Sequence, residues 1–503
     1  MQGPSSLAIL TLLLAGTALP AFAQSDGTTF NVGLQIDPDI LDPHRSRTSV
    51  GRIVFASMCD KLIDVSPDLQ FTPQLATDWS WNEDATVLTM NLRQDALFHD
   101  GSTINAEAVK ANFERALTLP DSLRKSEISS VESVEIVSDF TVAINLSAPD
   151  ATLLAQLSDR AGMILAPSSF ETFGETPVCS GPYSFVERVQ NDRIVLTKFD
   201  DHWDADAYSF EEVVFLAIPD TTVRLANLQS GDLDILERLN PSDIEAVEAD
   251  DNLEVLQVPG LGYVTLRINI ANGDQAQNPL GMDKRVRQAF ELAIDREVIN
   301  QVVGVGTFTP APQPYPPSSP FYDPDFPSGA RDVEAAKALL AEAGYDRVPI
   351  ELAYGTATTS QQISELIQAM AGEAGFDVTL RPTEYAAMQE EMTAGNFQVS
   401  QVTWSGRLDP DGNIHQFLTC EGSRNDGRYC NEEVDRLLDD ARRVSDEAER
   451  VELYHRATAI LKDELPQIDL YYQPTIFALS ADIDGFVAHP DGMIRLSGVT
   501  RAD

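Results

Sequence analysis

The histidines are the residues best suited to bind a metal, but their spacing disfavours such a site. No two of the six are three or four residues apart, the spacing that places two ligands on one helix face. The sequence also lacks the Gly-x-Ser-x-Gly, His-Glu-x-x-His, phosphate-loop and dinucleotide motifs. We therefore predict a protein that is not an enzyme and uses no metal or cofactor. The histidines are His44, His99, His202, His415, His455 and His489.

Carboxylates could bind calcium at one place. The segment DPDGN, residues 409–413, spaces Asp409, Asp411 and Asn413 as a calcium loop does. Its glycine is not where an EF-hand requires one, so a polar turn is the stronger interpretation. The chain contains 79 Asp and Glu residues against 35 Lys and Arg, so no carboxylate pair stands out as an acid–base pair.

The N-terminus predicts export. An uncharged apolar run from Leu7 to Leu19 precedes Ala21-Phe22-Ala23, small residues at the positions that signal peptidase recognises. The run is short for a membrane span, and a buried first helix is the alternative. We predict cleavage after Ala23, so that the mature periplasmic protein begins at Gln24. Because no cysteine follows the run, we expect no lipid anchor.

Four cysteines remain in the mature chain, and an oxidising compartment favours disulfides. Four cysteines allow three pairings. Cys420 and Cys430 close a short polar loop, so we predict that they are linked. Cys59 and Cys179 would then form the second disulfide, with two buried free thiols as the alternative.

The formal net charge of −44 excludes two classes of partner. Nucleic acid and anionic membrane surfaces both require cationic patches on the protein, so neither is expected to bind. A hydrophobic content of 43% is typical of a globular protein, and the length predicts two or three domains.

Alternating and helical patterns predict the elements that must position these residues. Residues 87–93, 141–147 and 193–199 alternate as strands do. Helices are predicted after Asp283, over 332–344 and over 446–464, and Pro466 should end the last one before a returning strand. The mixture predicts an α/β architecture. The proline-rich segment 310–327 carries aromatic anchors, so we expect an ordered strap rather than a flexible linker.

Eight segments, in order, resemble the substrate-binding proteins of ABC importers for dipeptides, oligopeptides and nickel, known as solute-binding family 5. No single motif is decisive, but together they extend over nearly the whole mature chain. The segments are LDPHRS (41–46), CDKLI (59–63), PQLATDWSWNEDATVLTMNLRQDALFHDGSTINAEAVKANFERA (73–116), CSGPYSFVE (179–187) with IVLTKFDDHW (194–203), TVRLANLQSGDLDI (222–235), RVRQAFELAIDREVI (285–299), DVEAAKALLAEAGY (332–345) and YCNEEVDRLLDDA (429–441).

The resemblance implies a two-lobed periplasmic-binding-protein fold of type II, with an extra domain and a ligand cleft that closes by hinge motion. Lobe I would comprise residues 24–58, 175–262 and 472–503, with the extra domain at 59–174. Lobe II would comprise residues 263–471. The chain would cross between lobes near Tyr263 and Tyr471.

The same resemblance indicates ligand-binding residues. In peptide binders of the family, an aspartate three residues after a tryptophan pairs with the peptide's α-ammonium. Here Trp404 is present, and Arg407 stands three residues later. A second difference follows LDPH, where this chain has Arg47 with Ser49 beside it. We expect Trp404, Arg407, Arg47, Ser49 and Tyr263 to contact the ligand, which would then present a carboxylate or phosphate or lack a free α-amine. The alternative is that Arg407 pairs with Asp409 or Asp411 in its own loop.

The leading prediction is a monomeric receptor that delivers a peptide-like or other small organic ligand to the permease of an ABC importer. Within the family, a non-peptide anion derived from an opine or a sugar, nickel or haem are the alternative ligands. A secreted hydrolase is the alternative from the enzyme class.

Overall fold

The computed structural model describes residues 27–502, so the predicted signal peptide and the expected new N-terminus lie outside the described residues. Its strands, in chain order, are β1 (Thr29–Leu34), β2 (Ile63–Val65), β3 (Phe71–Pro73), β4 (Ala76–Trp81), β5 (Val87–Leu92), β6 (Val131–Ser138), β7 (Thr141–Leu146), β8 (Tyr183–Val189), β9 (Arg193–Lys198), β10 (Glu212–Ala217), β11 (Ile235–Glu237), β12 (Leu253–Val258), β13 (Tyr263–Ile268), β14 (Thr309–Pro310), β15 (Val348–Gly355), β16 (Phe376–Thr383), β17 (Val399–Trp404), β18 (Gln467–Tyr472), β19 (Thr475–Ser480), β20 (Ile483–Asp484) and β21 (Thr500–Arg501).

Its α-helices, in the same order, are α1 (Ser49–Met58), α2 (Ala106–Thr118), α3 (Leu153–Leu157), α4 (Thr221–Ser230), α5 (Ile244–Glu248), α6 (Pro279–Met282), α7 (Lys284–Leu292), α8 (Arg296–Val302), α9 (Val333–Glu342), α10 (Thr358–Glu373), α11 (Tyr385–Thr393), α12 (Asp411–Leu418), α13 (Glu432–Arg443) and α14 (Glu447–Glu464). Short 3₁₀ helices occupy Arg160–Gly162, Pro167–Ser169, Ala205–Ala207, Pro241–Asp243 and Asp274–Ala276.

Three larger sheets organise the described part of the chain. We call the body built on the sheet β12-β19-β11-β1-β10-β9-β8 lobe I, and the body built on the sheet β14-β18-β13-β17-β15-β16 lobe II. The sheet β4-β5-β7-β6, with α2 and α3, forms a side unit. Each has its own hydrophobic core. The predicted α/β two-lobed architecture is confirmed.

The chain passes between the two large sheets twice. Residues 259–262 lead from β12 in lobe I to β13 in lobe II, and residues 473–474 lead back from β18 to β19. The two crossings touch, because the Gln473 N–H donates to the Gly262 carbonyl at 3.2 Å. Both β13 and β18 are buried along their whole length, since lobe II has hydrophobic clusters on both faces of its sheet.

The strands and helices predicted from local patterns are present. The three alternating segments form β5, β7 and β9. The side chains of Asp283, Asp332 and Asp446 each accept a backbone N–H in the first turn of α7, α9 and α14, as N-caps do. The proline-rich strap is ordered. Tyr315 and Phe321 are buried, and the Tyr472 hydroxyl donates to the Gln313 carbonyl at 2.7 Å.

Both predicted disulfides are present, Cys59–Cys179 and Cys420–Cys430. The first joins the end of α1 to the segment that leads into β8. The second closes a loop at the end of α12. The alternative of free thiols at Cys59 and Cys179 is therefore wrong. None of the described helices is both long and apolar enough to cross a bilayer.

Loss of each disulfide should lower the free energy of unfolding by a different amount. In the loop-entropy relation, a loop closed by Cys420–Cys430 contributes about 3 kcal/mol to the free energy of unfolding, and one closed by Cys59–Cys179 about 5 kcal/mol. We therefore expect Cys59→Ser/Cys179→Ser to lower that free energy more than Cys420→Ser/Cys430→Ser, measured by urea unfolding without reductant. The reverse order would contradict this prediction.

Asp469 provides a test of the buried β18 environment. Burial raises the pKa of its carboxyl to about 6. The folded state therefore loses stability as the pH rises from the ordinary carboxyl pKa through 6, because it must ionise a buried acid. Asp469→Asn should raise the free energy of unfolding by about 2–3 kcal/mol at pH 7.5 and by little at pH 4. Urea unfolding at both values tests this, with the exposed Asp484→Asn as control. An equal gain at both pH values would contradict it.

Candidate functional site

A narrow gap separates the lobes where β17 ends. Ser49 and Ile53 of α1 line its lobe I side, and Trp404 and Ser405 line its lobe II side. The gap has a volume of about 50 Å³, well below the roughly 300–1,000 Å³ of small-molecule pockets. With the lobes in this arrangement, the gap is too small for a typical small-molecule ligand.

Trp404 is held rigidly at the end of β17. Its backbone pairs with Tyr263 of β13, and its indole N–H donates to the Asn413 side-chain oxygen at 2.9 Å. The ring packs edge-on against Phe417, with centroids 4.8 Å apart. Gly406 then takes a positive φ of 78° beside Leu261, where a β-carbon would lie 2.2 Å from the Leu261 backbone. The chain therefore turns sharply here and presents Arg407 to the other side of the cleft.

Arg407 does not pair with Asp409 or Asp411, so that alternative pairing is wrong; within the loop its Nη1 donates to the Gly406 carbonyl at 2.6 Å and to the Ser405 hydroxyl at 3.2 Å. Asp409 accepts from Arg450 at 2.9 Å, and Asp411 accepts two hydrogen bonds from Arg442 at 2.6 and 2.8 Å. The residues that resembled a calcium loop thus bind arginines. Asn413, the third of them, also accepts the Arg407 backbone N–H at 2.8 Å.

The carboxylate that faces Arg407 belongs to Asp159, in the side unit just after α3. The Arg407 Nε lies 2.8 Å from Asp159 Oδ2, and the Arg52 Nε donates to Asp159 Oδ1 at 3.0 Å. Arg52 comes from α1 of lobe I, and its Nη1 lies 3.5 Å from the Ser405 hydroxyl. One carboxylate therefore connects the side unit, lobe I and lobe II.

The charges at this contact act strongly on one another because they are buried. Burial would raise the pKa of Asp159, but Arg52, Arg407 and Arg160 outweigh it and hold that pKa well below its ordinary value. Burial, together with repulsion from Arg52, lowers the pKa of Arg407 to about 9. The guanidinium is still charged at neutral pH. It lies over the Trp404 ring, with Cζ 4.3 Å from the ring centroid.

The other residues predicted to bind ligand occupy different positions. Ser49 is the first residue of α1 and lines the gap. The Arg47 backbone N–H donates to Asp39 at 2.7 Å, while its Nε is buried without a hydrogen-bond partner. Tyr263 is fully buried, its hydroxyl donates to the Asn413 carbonyl at 2.7 Å, and it does not line the gap. The structure thus brings Ser49 and Trp404 together at the gap, with Arg407 beside them.

Sequence reasoning missed Asp159 and Arg52. The sequence carries no local pattern that marks them, since they lie 248 and 355 residues before Arg407 in a chain of 503 residues. Within residues 27–502, no group of three or more His, Cys, Asp and Glu side chains is arranged to hold a metal ion.

Comparisons with known proteins agree on one family. The model of the bacterial extracellular solute-binding proteins, family 5 (middle part), matches residues 70–425, more than half of the chain. The chain is 26% identical over 467 residues to the dipeptide-binding protein of Escherichia coli K12, covering 85% of this chain and 86% of the relative. It is 29% identical over 475 residues to heme-binding protein A of Haemophilus influenzae, covering 85% and 84%.

Solved structures share the fold. The binding protein AgaA of A. tumefaciens R10, in complex with agropinic acid, superposes with a TM-score of 0.86 at 24% identity, covering 94% of this chain and 99% of that one. NikA of Staphylococcus aureus, in complex with Ni(L-His)2, gives a TM-score of 0.86 at 20% identity, covering 94% and 100%.

The shared carboxylate of Asp159 should hold the lobes together. Asp159→Asn removes the charge that separates two buried guanidinium groups, so repulsion between Arg52 and Arg407 favours the open arrangement. Small-angle scattering of the ligand-free protein should show a larger radius of gyration for the variant. Asp121→Asn is the control, because it removes another carboxylate of the side unit, one that forms an exposed pair with Arg45 of lobe I. An unchanged radius in Asp159→Asn would contradict this role.

Proposed function

This chain belongs to family 5 of the bacterial extracellular solute-binding proteins, the receptors that serve ABC importers, and we propose that its ligand binds between the two lobes at Trp404. The observation that carries the proposal is the gap beside Asp159, where residues of both lobes and of the side unit meet. A molecule bound there contacts both lobes only when they close, so binding and closure are coupled.

Arg407 defines the kind of ligand. The position that carries an acid for the α-ammonium in peptide binders is a buried cation here. Asp159, the nearby carboxylate, is already shared by Arg52 and Arg407. A free α-amine would therefore be repelled, and a carboxylate or phosphate would be attracted. The ligand is an opine-like conjugate, an amine-blocked peptide or an acidic sugar derivative. The complex of AgaA with agropinic acid, on the same fold, supports this class.

A peptide with a free amine is the second candidate, favoured by the dipeptide-binding relatives. Nickel and haem occur as ligands in the names of other relatives and neighbours. Metal analysis of the purified protein would detect nickel or haem iron, and so separates these two ligands from a peptide. The protein acts by binding and release without turnover, so incubation with peptides and glycosides yields no product.

The domain division predicted from the resemblance remains part of the proposal. Lobe I comprises residues 24–58, 175–262 and 472–503, the extra domain residues 59–174, and lobe II residues 263–471. The strands of the lobe I sheet fall within the first set of ranges, and β4–β7 fall within the second, which supports this division.

The proposed mature protein is a periplasmic monomer. Cleavage after Ala23 gives an N-terminal Gln24, which the intact mass of the exported protein reveals. Light scattering after gel filtration measures its oligomeric state.

The test of function uses protein purified without refolding. Native mass spectrometry should show a bound small molecule, and calorimetry with free-amine dipeptides, N-acetylated dipeptides and small carboxylates should show preference for amine-blocked or anionic compounds. Arg407→Ala should weaken those compounds at least tenfold, whereas Arg428→Ala, at an exposed arginine, should not. Tight binding of free-amine dipeptides that Arg407→Ala leaves unchanged would overturn the ligand class.

A further inference from the structure

A second group of arginines lies next to the Asp159 contact. Arg124 follows α2 and Arg160 follows α3, both in the side unit, and Arg424 lies in the lobe II loop that Cys420–Cys430 closes. The side chains of Arg124 and Arg160 are fully buried, and Arg424 is 7% exposed. Arginines are rarely buried to this degree unless anions compensate them.

The protein supplies few partners for these guanidinium groups. Arg124 Nη1 donates to both oxygens of Glu127, at 2.7 and 2.9 Å, and Arg160 Nη1 donates to the Ser46 carbonyl at 2.7 Å. The Nε and Nη2 atoms of Arg124 and Arg160 and the Nη2 of Arg424 are buried without a hydrogen-bond partner among the described residues. Each such N–H costs free energy unless a ligand or ion accepts from it.

The charges are not balanced either. Arg47, Arg52, Arg124, Arg160, Arg407 and Arg424 interact electrostatically with one another, and the carboxylates that act on them among the described residues include Asp159, Glu127 and Asp491. Burial and the neighbouring arginines, Arg47 first among them, lower the pKa of Arg424 to about 9, and burial with Arg124 lowers the pKa of Arg160 well below its ordinary value. The guanidinium groups outnumber these carboxylates, and Asp491 is already paired with Arg495, so positive charge is in excess here inside a protein of net charge −44.

We propose that the ligand carries two separate anionic groups, carboxylate or phosphate, one bound beside Arg407 and one bound by Arg124, Arg160 and Arg424. This inference rests on the proposed function and names the substrate class of the same cleft. The second subsite, like the first, joins the two sides of the cleft. The Ser126 and Ser423 hydroxyls lie 3.1 Å apart, which shows that the segments carrying Arg124 and Arg424 meet. The second anion neutralises arginines that otherwise repel one another when the lobes close.

The probes are pairs of small molecules that differ by one anionic group. Succinate is compared with butyrate, and 3-phosphoglycerate with glycerate, at equal ionic strength, by calorimetry on the full mature protein. In the wild type, succinate and 3-phosphoglycerate should each bind at least tenfold more tightly than the partner that lacks the second anionic group. The pair with the larger ratio of affinities identifies the second group as carboxylate or phosphate, and inorganic phosphate alone measures the subsite without a linked group.

Two variants test whether the preference for a second anionic group comes from Arg424. Arg424→Gln should weaken whichever of succinate and 3-phosphoglycerate binds more tightly by at least tenfold. It should weaken the partner with one anionic group much less, although not by zero, because the Arg424 Cζ also lies 5.3 Å from the Trp404 ring centroid. Arg428→Gln removes a charge from an exposed position of the same disulfide-closed loop and should change neither. The wild-type comparison needs no variant, so poor folding of Arg424→Gln leaves the test intact.

The outcomes separate the two proposals. If the wild type binds the compounds with one and with two anionic groups equally, or if Arg424→Gln weakens both equally, the second subsite is overturned and the proposed function stands. If no probe binds, the test passes to the co-purified ligand that native mass spectrometry identifies. A ligand with fewer than two acidic groups overturns the inference. A wild type that binds no probe and carries no co-purified ligand contradicts both proposals.

Discussion

The Asp159 carboxylate lies where three parts of the molecule meet, and its negative charge makes their contact possible. The Arg52 Nε of lobe I lies 3.0 Å from Asp159 Oδ1, and the Arg407 Nε of lobe II lies 2.8 Å from Oδ2. Without that charge the two guanidinium groups would face each other in a medium of low dielectric constant, where repulsion is strong. The approach of the two lobes at this point and the direction of the Arg407 guanidinium therefore depend on this contact.

The fold supplies the rigidity that such a contact requires. Trp404 ends a central strand whose neighbour β13 is buried on both faces, and Asn413 fixes the indole and the Arg407 backbone with one side-chain oxygen. The two crossings between the lobes are short and hydrogen-bonded to each other. The proposed closing motion would bend the chain at these two crossings, and each half of the site would keep its own geometry.

Local features of the fold could be predicted from the sequence, whereas the partners of the site residues could not. The caps Asp283, Asp332 and Asp446 act within three residues, so spacing alone identifies them. Trp404 and Arg407 were found because they lie in a recognisable segment. Asp159 is one of 79 acidic residues, and it was missed because its role arises only when distant segments meet. Arg124, Arg160 and Arg424 were missed for the same reason.

The contrast between an acidic surface and a cationic cleft has a kinetic consequence. An anion that approaches from solution first meets the long-range field of a molecule with a net charge of −44, which repels it. Only within the cleft does the local field of the arginines become attractive. Added salt screens the distant repulsion, over a Debye length of roughly 8–10 Å at physiological ionic strength, more than it screens the buried contact. If the ligand is an anion as proposed, its capture should therefore become faster as salt is added, the opposite of ordinary electrostatic steering.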